Sequence, residues 1–245
     1  MNPIILIPAR MASTRLPNKP LADIHGKPMI VHVMERAREA NLGRVVVACS
    51  DLAIKNAIEA AGGEAVLTDP NLPSGSDRIL AALNIIDPEG KHDVVINVQG
   101  DLPTLYPALI KSALDLLANP ETDIGTLAAV ITRESEKTNP NVVKAIAKID
   151  YSKDEKTGRA VAFTRDTPET AGEPMLHHIG LYTYKRAALE KFVAAPPSPG
   201  EKRERLEQLR ALEMGMRIDV AVVNTVPLGV DTLEDLEMAR RMLKK

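Results

Sequence analysis

IILIPARMASTRLPNKP, residues Ile4 to Pro20, is the stretch on which the fold turns. Four apolar residues, Ile4 to Ile7, follow one another without alternation, as in a strand covered on both faces. The strand runs straight into a loop carrying Arg10, Arg15 and Lys19 and no acid. Working outward, an apolar helical pattern over 28–40 is followed by a strand at 45–49. A helix over 52–61 then ends at Gly62-Gly63. A strand at 64–67, a helix at 77–86 and a strand at 93–98 continue the alternation. This rhythm predicts an α/β fold: a Rossmann-like, doubly wound, mostly parallel or mixed sheet.

Beyond residue 123 the rhythm changes to strands at 125–132, 142–149, 160–164 and 177–184. The stretch 150–158 reads as a hairpin-like connection. A proline-rich loop at 194–200 precedes a helix over 201–214, with Leu206, Leu209 and Leu212 spaced by three and Gly215 to end it. A strand at 217–223 and a helix at 232–243 close the chain. We read one domain over 1–245: a nucleotide-binding half to about 125, a smaller β-rich region over about 126–223, and a returning segment over 224–245.

Composition narrows the class. The 245 residues include 31 basic and 33 acidic side chains, a net of −2, which argues against nucleic acid or an anionic membrane as a partner. Aromatics make up 2% with no Trp, so a base-stacking surface is not expected. Cys49 is the single cysteine and sits in an apolar run, which fits a small buried side chain in a reducing compartment. The N-terminus lacks the pattern of a signal peptide and no apolar stretch is long enough for a membrane span, so the cytoplasm is the expected location.

In open parallel sheets ligands bind beyond the carboxyl ends of the strands, so chemistry is sought there. In the loop after the first strand, the small residues Ala9, Ala12, Ser13 and Thr14 let a ligand approach the backbone, and Arg10, Arg15 and Lys19 offer cations. That combination suits a triphosphate, although neither a P-loop nor a G-x-G-x-x-G pattern is present. Lys27, in the turn into the next helix, reads as a surface residue. In VVINVQGD, residues 94–101, a strand ends at Gly100-Asp101, and Asp101 either caps a turn or holds Mg²⁺. Asp231 precedes Thr232-x-x-Asp235, a capping-box pattern, so by local sequence it reads first as part of a helix cap. Ser74 or Ser76, in SGSDR, is a candidate cap for the helix that follows. Taken alone, the His177-His178 pair reads as structural, and Gln208 and Arg210 read as surface.

PARMASTRLPNKPL at 8–21 with GKPMIVHV at 26–33 closely resembles the start of the 3-deoxy-manno-octulosonate (KDO) cytidylyltransferases, and further motifs extend the likeness along nearly the whole chain. The resemblance implies a nucleotide-diphospho-sugar transferase type of fold and transfer of CMP from CTP to the anomeric hydroxyl of KDO. Pyrophosphate leaves, and CMP-KDO is made for lipopolysaccharide biosynthesis. It implies Mg²⁺ on Asp101 and Asp231, the latter because GVDTLEDL at 229–236 resembles the family's C-terminal motif. Arg10 and Lys19 join these two as catalytic residues, and Pro8, Ala9, Arg10, Arg15, Lys19, Ser74, Gly75, Arg78 and Gln99 face the nucleotide. Gln99, Arg165, His178, Tyr182, Glu207 and Gln208 face the sugar acid by the same resemblance, with Tyr182 also packing. A homodimer formed through the 126–223 region is implied as well. Two departures stand out: Leu102 where the family commonly has Glu, and an unusual run over 166–174. The alternatives are a transferase for another sugar acid, 8-amino-KDO or sialic acid, and a non-catalytic nucleotide-binding regulator. The sialic acid enzymes have Gly-Gly-Ser-Lys where this chain has Met11-Ala-Ser-Thr.

Overall fold

The protein is described by a computed structural model covering every residue except Ser13, Thr14, Glu155, Ala171 and Lys245. The chain forms two compact units, one of residues 1–111 with 227–245 and the other of 112–226. The division falls at 111/112 and 226/227, against the expected 125 and 223.

In the first unit, strand β1 (Pro3–Ala9) leads through a short hairpin, β2 (Asp23–Ile24) and β3 (Lys27–Pro28), into helix α1 (Met29–Glu39). Next come β4 (Arg44–Cys49), α2 (Leu52–Ala60), β5 (Ala65–Leu67), α3 (Gly75–Ile86) and β6 (Val94–Asn97). The strands lie in the order β5-β4-β1-β6 and every pairing is parallel. Ile4 to Ile7 are fully buried, as their unbroken apolar run predicts. Helix α1 buries Met29, Ile30, Val31, Val33, Met34 and Ala37. Because β4 and β5 add on one side of β1 and β6 on the other, the winding reverses between β1 and β6. The loops leaving these two strands therefore flank the switch point, where α/β sheets of this kind bind ligands.

The chain returns to this unit in helix α9 (Leu233–Met242), after α4 (Pro107–Asp115) has carried it into the second unit. Val230, Leu236 and Ala239 pack with Ile24 and Met29 in one apolar cluster, which ties the returning segment to α1 and the hairpin. Cys49 is buried as expected, and burial pushes its thiol pKa up.

In the second unit, β7 (Ile124–Val130), α5 (Glu134–Lys137), β8 (Lys144–Ile149), β9 (Thr157–Thr164), β10 (Leu176–Lys185) and α6 (Arg186–Ala194) are followed by α7 (Pro199–Glu204), α8 (Gln208–Glu213) and β11 (Ile218–Val223). The strand order is β10-β7-β11-β9-β8, and β8 also pairs with β10, so the strands close on themselves. The connection over 150–158 does join two antiparallel neighbours, β8 and β9.

One expected element is corrected. The helix over 201–214 is two short helices, α7 and α8, because Arg205 ends the first in the left-handed region, at φ 56°. A capping box of Ser198 and Glu201 starts α7. Arg210 of α8 reaches back to Glu201 with Nε and Nη2, both at 2.7 Å, so an ion pair joins what one continuous helix would have kept apart. Arg210 is accordingly buried, with its guanidinium 4.6 Å from the Phe192 ring centre, and is no surface residue. Gln208 is buried too.

Candidate functional site

A cleft of about 400 Å³ opens in the first unit at the carboxyl ends of β1 and β6. Its walls carry every residue expected to face the nucleotide: Pro8, Ala9, Arg10, Arg15 and Lys19 from one loop, Ser74, Gly75 and Arg78 from the start of α3, and Gln99 after β6. Asp101 and Asp231 line it as well. Leu72 and Pro20 add apolar wall, and the sequence reading missed both, since neither belongs to a periodic or polar pattern.

Local structure explains how these side chains are aimed. Asn18 adopts the left-handed region, at φ 56°, which Asn tolerates better than most residues, and so turns the chain into the short 3₁₀ segment Lys19–Leu21. Pro20 is buried there, which anchors Lys19 beside it. The Met11 N–H donates to Asp51 Oδ2 at 3.2 Å and holds the start of the loop against the N-terminus of α2. Ser13 and Thr14, expected to let a ligand approach, lie outside the described residues. Gly100 has a sharper role than an easy turn. A Cβ on it would sit 2.7 Å from the Pro8 carbonyl oxygen, so only glycine lets the loop after β6 come this close to the end of β1.

The centre of the site is a three-way ion contact. Lys19 Nζ donates to Asp101 Oδ2 at 2.8 Å and to Asp231 Oδ1 at 2.9 Å. Arg15 Nη2 donates to the other oxygen of Asp231, Oδ2, at 2.9 Å. Two carboxylates 130 positions apart thus meet at one nitrogen. Burial pulls the Lys19 pKa down, but the charge of Asp101 and the hydrogen bonds to both carboxylates outweigh it, and the net shift is upward. Lys19 is therefore a cation at every neutral pH. Beside Asp231, Thr232 and Asp235 form the complete capping box on α9 that the sequence predicts. The cap and the ion contact coexist, because the box pairs Thr232 with Asp235 while the ion contact uses the Asp231 side chain.

Ser74, and not Ser76, caps α3: its hydroxyl accepts from the Asp77 N–H, and Ser76 is buried. Arg78 is buried and donates to Thr68 Oγ1 at 2.6 Å and to the Asp69 carbonyl at 3.1 Å, so it braces the cleft rim in addition to lining it. Burial, and then the nearby charge of Arg10, push its pKa below the usual value. Gln99 donates to Asn97 Oδ1 at 3.3 Å. Leu102, the family departure, is buried and puts no acid at that position. Lys27 pairs with Glu35 at 2.7 Å and does not line the cleft.

The residues expected to face the sugar acid, Gln99 apart, belong to the second unit. Arg165 donates to the carbonyls of Pro140 and Glu204, both at 2.9 Å, and so pins the loop before β8 to the end of α7. His178 is buried, with Nε2 3.1 Å from Thr126 Oγ1 and its ring edge-on to Phe163 at 4.8 Å. Burial, helped by His177, pushes its pKa down to about 3, so its ring is neutral at pH 7. Tyr182 packs against both His178 and Tyr184. Glu207 immediately precedes α8 without a side-chain capping bond, and Gln208 is the first residue of that helix.

A family model described as cytidylyltransferase matches residues 4–218. The 3-deoxy-manno-octulosonate cytidylyltransferase of Parvibaculum lavamentivorans is 62% identical over 244 residues, covering 100% of this chain and 93% of its own. That of Rhodospirillum centenum is 60% identical over 242 residues, covering 99% of this chain and 93% of its own.

The chain belongs to the 3-deoxy-manno-octulosonate cytidylyltransferase family. A solved CMP:2-keto-3-deoxy-manno-octonic acid synthetase complexed with CTP superposes with a TM-score of 0.89 at 35% identity, covering 99% of this chain and 98% of that one. Membership of this family gives the cleft a chemical frame. Cytidylyl transfer needs cations around a triphosphate and acidic oxygens for a metal, and the cleft walls supply both kinds of group.

The pair Asp101 and Asp231 fits a magnesium ion. Mg²⁺ takes one or two carboxylates and completes its shell with phosphate oxygens and water. Two carboxylates that already share one ammonium can share a metal of like charge sign. Among the described residues no group of three or more His, Cys, Asp or Glu side chains is placed to hold a metal, so the fit rests on this pair alone. No helix among them is long and apolar enough to cross a membrane.

Proposed function

We propose that the protein transfers CMP from CTP to the anomeric hydroxyl of KDO and releases pyrophosphate. The observation that carries the reading is the meeting of Asp101, Asp231 and Lys19 in one cleft with Arg10 and Arg15. A bond forms between the anomeric oxygen and the α-phosphorus as the bond from that phosphorus to the bridging oxygen breaks, and the hydroxyl proton passes to solvent. Arg10, Arg15 and Lys19 surround the triphosphate and offset the charge that grows on the departing pyrophosphate, a positioning and electrostatic role. Pro8, Ala9 and Gly75 leave room for the nucleotide at the backbone, and Gln99 reaches from the β6 loop toward the reactants. Asp101 and Asp231 are the residues that would hold Mg²⁺, and a bound ion would supply Lewis-acid polarisation of the phosphate and a lower pKa for the attacking hydroxyl. The sugar acid is met by Arg165, Tyr182, Glu207 and Gln208, with His178 as a neutral hydrogen-bonding ring.

In this reading the product serves lipopolysaccharide biosynthesis, the enzyme acts in the cytoplasm, and two copies form a homodimer. Sedimentation equilibrium checks the last point. The reading as a non-catalytic regulator expects a cation or carboxylate of the cleft to be missing, and Lys19, Asp101 and Asp231 are all present.

The deciding experiment measures pyrophosphate release with each of the four common ribonucleoside triphosphates against KDO, 8-amino-KDO and sialic acid. The expected result is turnover with CTP and KDO far above the other combinations. A preference for another sugar acid overturns the substrate assignment. Asp101→Asn is expected to lose most turnover while keeping CTP binding. Near-normal pyrophosphate release by that variant overturns the metal assignment.

A further inference from the structure

The segment carrying Asp231 is held from two sides. On one side it is sewn to the loop after β6: the Val230 N–H donates to the Asp101 carbonyl at 2.9 Å, and the Leu228 N–H donates to Thr104 Oγ1 at 3.1 Å. On the other side stands Asp235. Its Oδ2 accepts from the Thr232 N–H at 2.8 Å, the Thr232 hydroxyl at 2.8 Å and the Asp231 N–H at 3.1 Å.

A capping box needs only a reciprocal pair: the carboxylate on the cap residue's N–H, and the cap hydroxyl on the N–H three residues on. Thr232 and Asp235 make that pair. The bond to the Asp231 N–H is additional to it and reaches one residue further back, to the residue whose side chain meets Lys19 and Arg15. A partner that orients a ligating residue governs how well the ligand set fits its ion.

We propose that Asp235 is a positioning residue for Asp231. It fixes the Asp231 backbone so that this carboxylate converges with that of Asp101, and it does so separately from starting α9. The inference rests on the proposed function, in which these two carboxylates hold the metal.

The test follows Mn²⁺ binding by electron paramagnetic resonance, with a CTP analogue that cannot be cleaved between the α- and β-phosphates, alongside thermal melts. Asp235→Ala is expected to weaken Mn²⁺ binding by about tenfold, in the range typical for lost partners of metal ligands. Thr232→Ala loses the hydroxyl half of the cap but keeps Asp235 on the Asp231 N–H, so it is expected to lower Tm and leave Mn²⁺ affinity unchanged. Asp235→Asn keeps the shape with a weaker neutral acceptor and is expected to fall between wild type and Asp235→Ala. If Asp235→Ala does not fold, Asp235→Asn decides: wild-type affinity in it overturns the proposal. Equal Tm losses in Asp235→Ala and Thr232→Ala with wild-type Mn²⁺ binding in both reduce Asp235 to a helix cap. Asp101→Asn separates the two levels. If it too binds Mn²⁺ like wild type, the metal assignment fails and this inference falls with it; if it binds weakly, a wild-type result for the Asp235 variants is a failure of the positioning role alone.

Discussion

Replacing Lys19 by Met removes a nitrogen that both carboxylates share. In the wild-type protein Lys19 Nζ lies 2.8 Å from Asp101 and 2.9 Å from Asp231. The Lys19 side chain is 17% exposed, that of Asp101 31% and that of Asp231 47%, so solvent screens the second contact more than the first. Two unit charges 4 Å apart interact by about 4 kcal/mol at an effective dielectric of 20, but partly exposed pairs yield roughly 1 kcal/mol or less after screening and side-chain ordering. The variant also leaves two carboxylates facing each other. We therefore expect a loss of about 1–2 kcal/mol of stability, measured by urea denaturation without divalent ions. Added Mg²⁺ is expected to restore more stability to Lys19→Met than it adds to wild type, because in wild type the ion competes with the ammonium for the same oxygens. Arg10→Met is the control. Arg10 lines the same cleft but makes no ion pair with Asp101 or Asp231 among the described contacts. It lowers the local positive charge without freeing a carboxylate, and its response to Mg²⁺ is expected to stay near that of wild type. Turnover of Lys19→Met is expected to fall by about a hundredfold or more, as when one donor to a charged transition state is lost. If Lys19→Met is as stable as wild type and indifferent to Mg²⁺, the carboxylates are no cation-holding pair and the reasoning fails.

Two further outcomes test the framework around the site. Gly100→Ala puts a Cβ 2.7 Å from the Pro8 carbonyl oxygen, a backbone atom that cannot swing away, so a stability loss of about 1–3 kcal/mol and a raised KM for CTP are expected from denaturation and steady-state kinetics. His178, with its pKa pushed down to about 3, binds fewer protons folded than unfolded between the ordinary value of 6.5 and 3. Stability is therefore full above pH 6.5 and falls as pH drops through that window, by up to about 1.4 kcal/mol per pH unit from this group. Urea melts from pH 7 to pH 4 are expected to show a shallower slope for His178→Gln than for wild type, and equal slopes would remove His178 as the cause.

Much was legible in the sequence by itself. The unbroken apolar run Ile4–Ile7 and its successors announced buried parallel strands, since only a strand covered on both faces dispenses with alternation. The cations of the first loop and Asp101 could be read as site residues because they follow strand ends, and strand ends are where such sheets bind ligands. The capping box at Thr232 and Asp235 was also visible, being a contact between residues three apart. What the sequence could not decide depends on contacts between distant residues. Periodicity read 201–214 as one helix, whereas the Arg210–Glu201 ion pair and the left-handed Arg205 make it two. Arg210 and Gln208 read as surface for the same reason: polarity predicts exposure until a buried partner or a packed helix overrides it. Asp231 is the clearest case. Its local sequence specified only a cap. The tertiary structure, by joining Val230 to Asp101 and packing α9 against α1, brings the Asp231 side chain to Lys19, because convergence of two carboxylates from separate ends of the chain is a property of the folded sheet edge and of no local pattern.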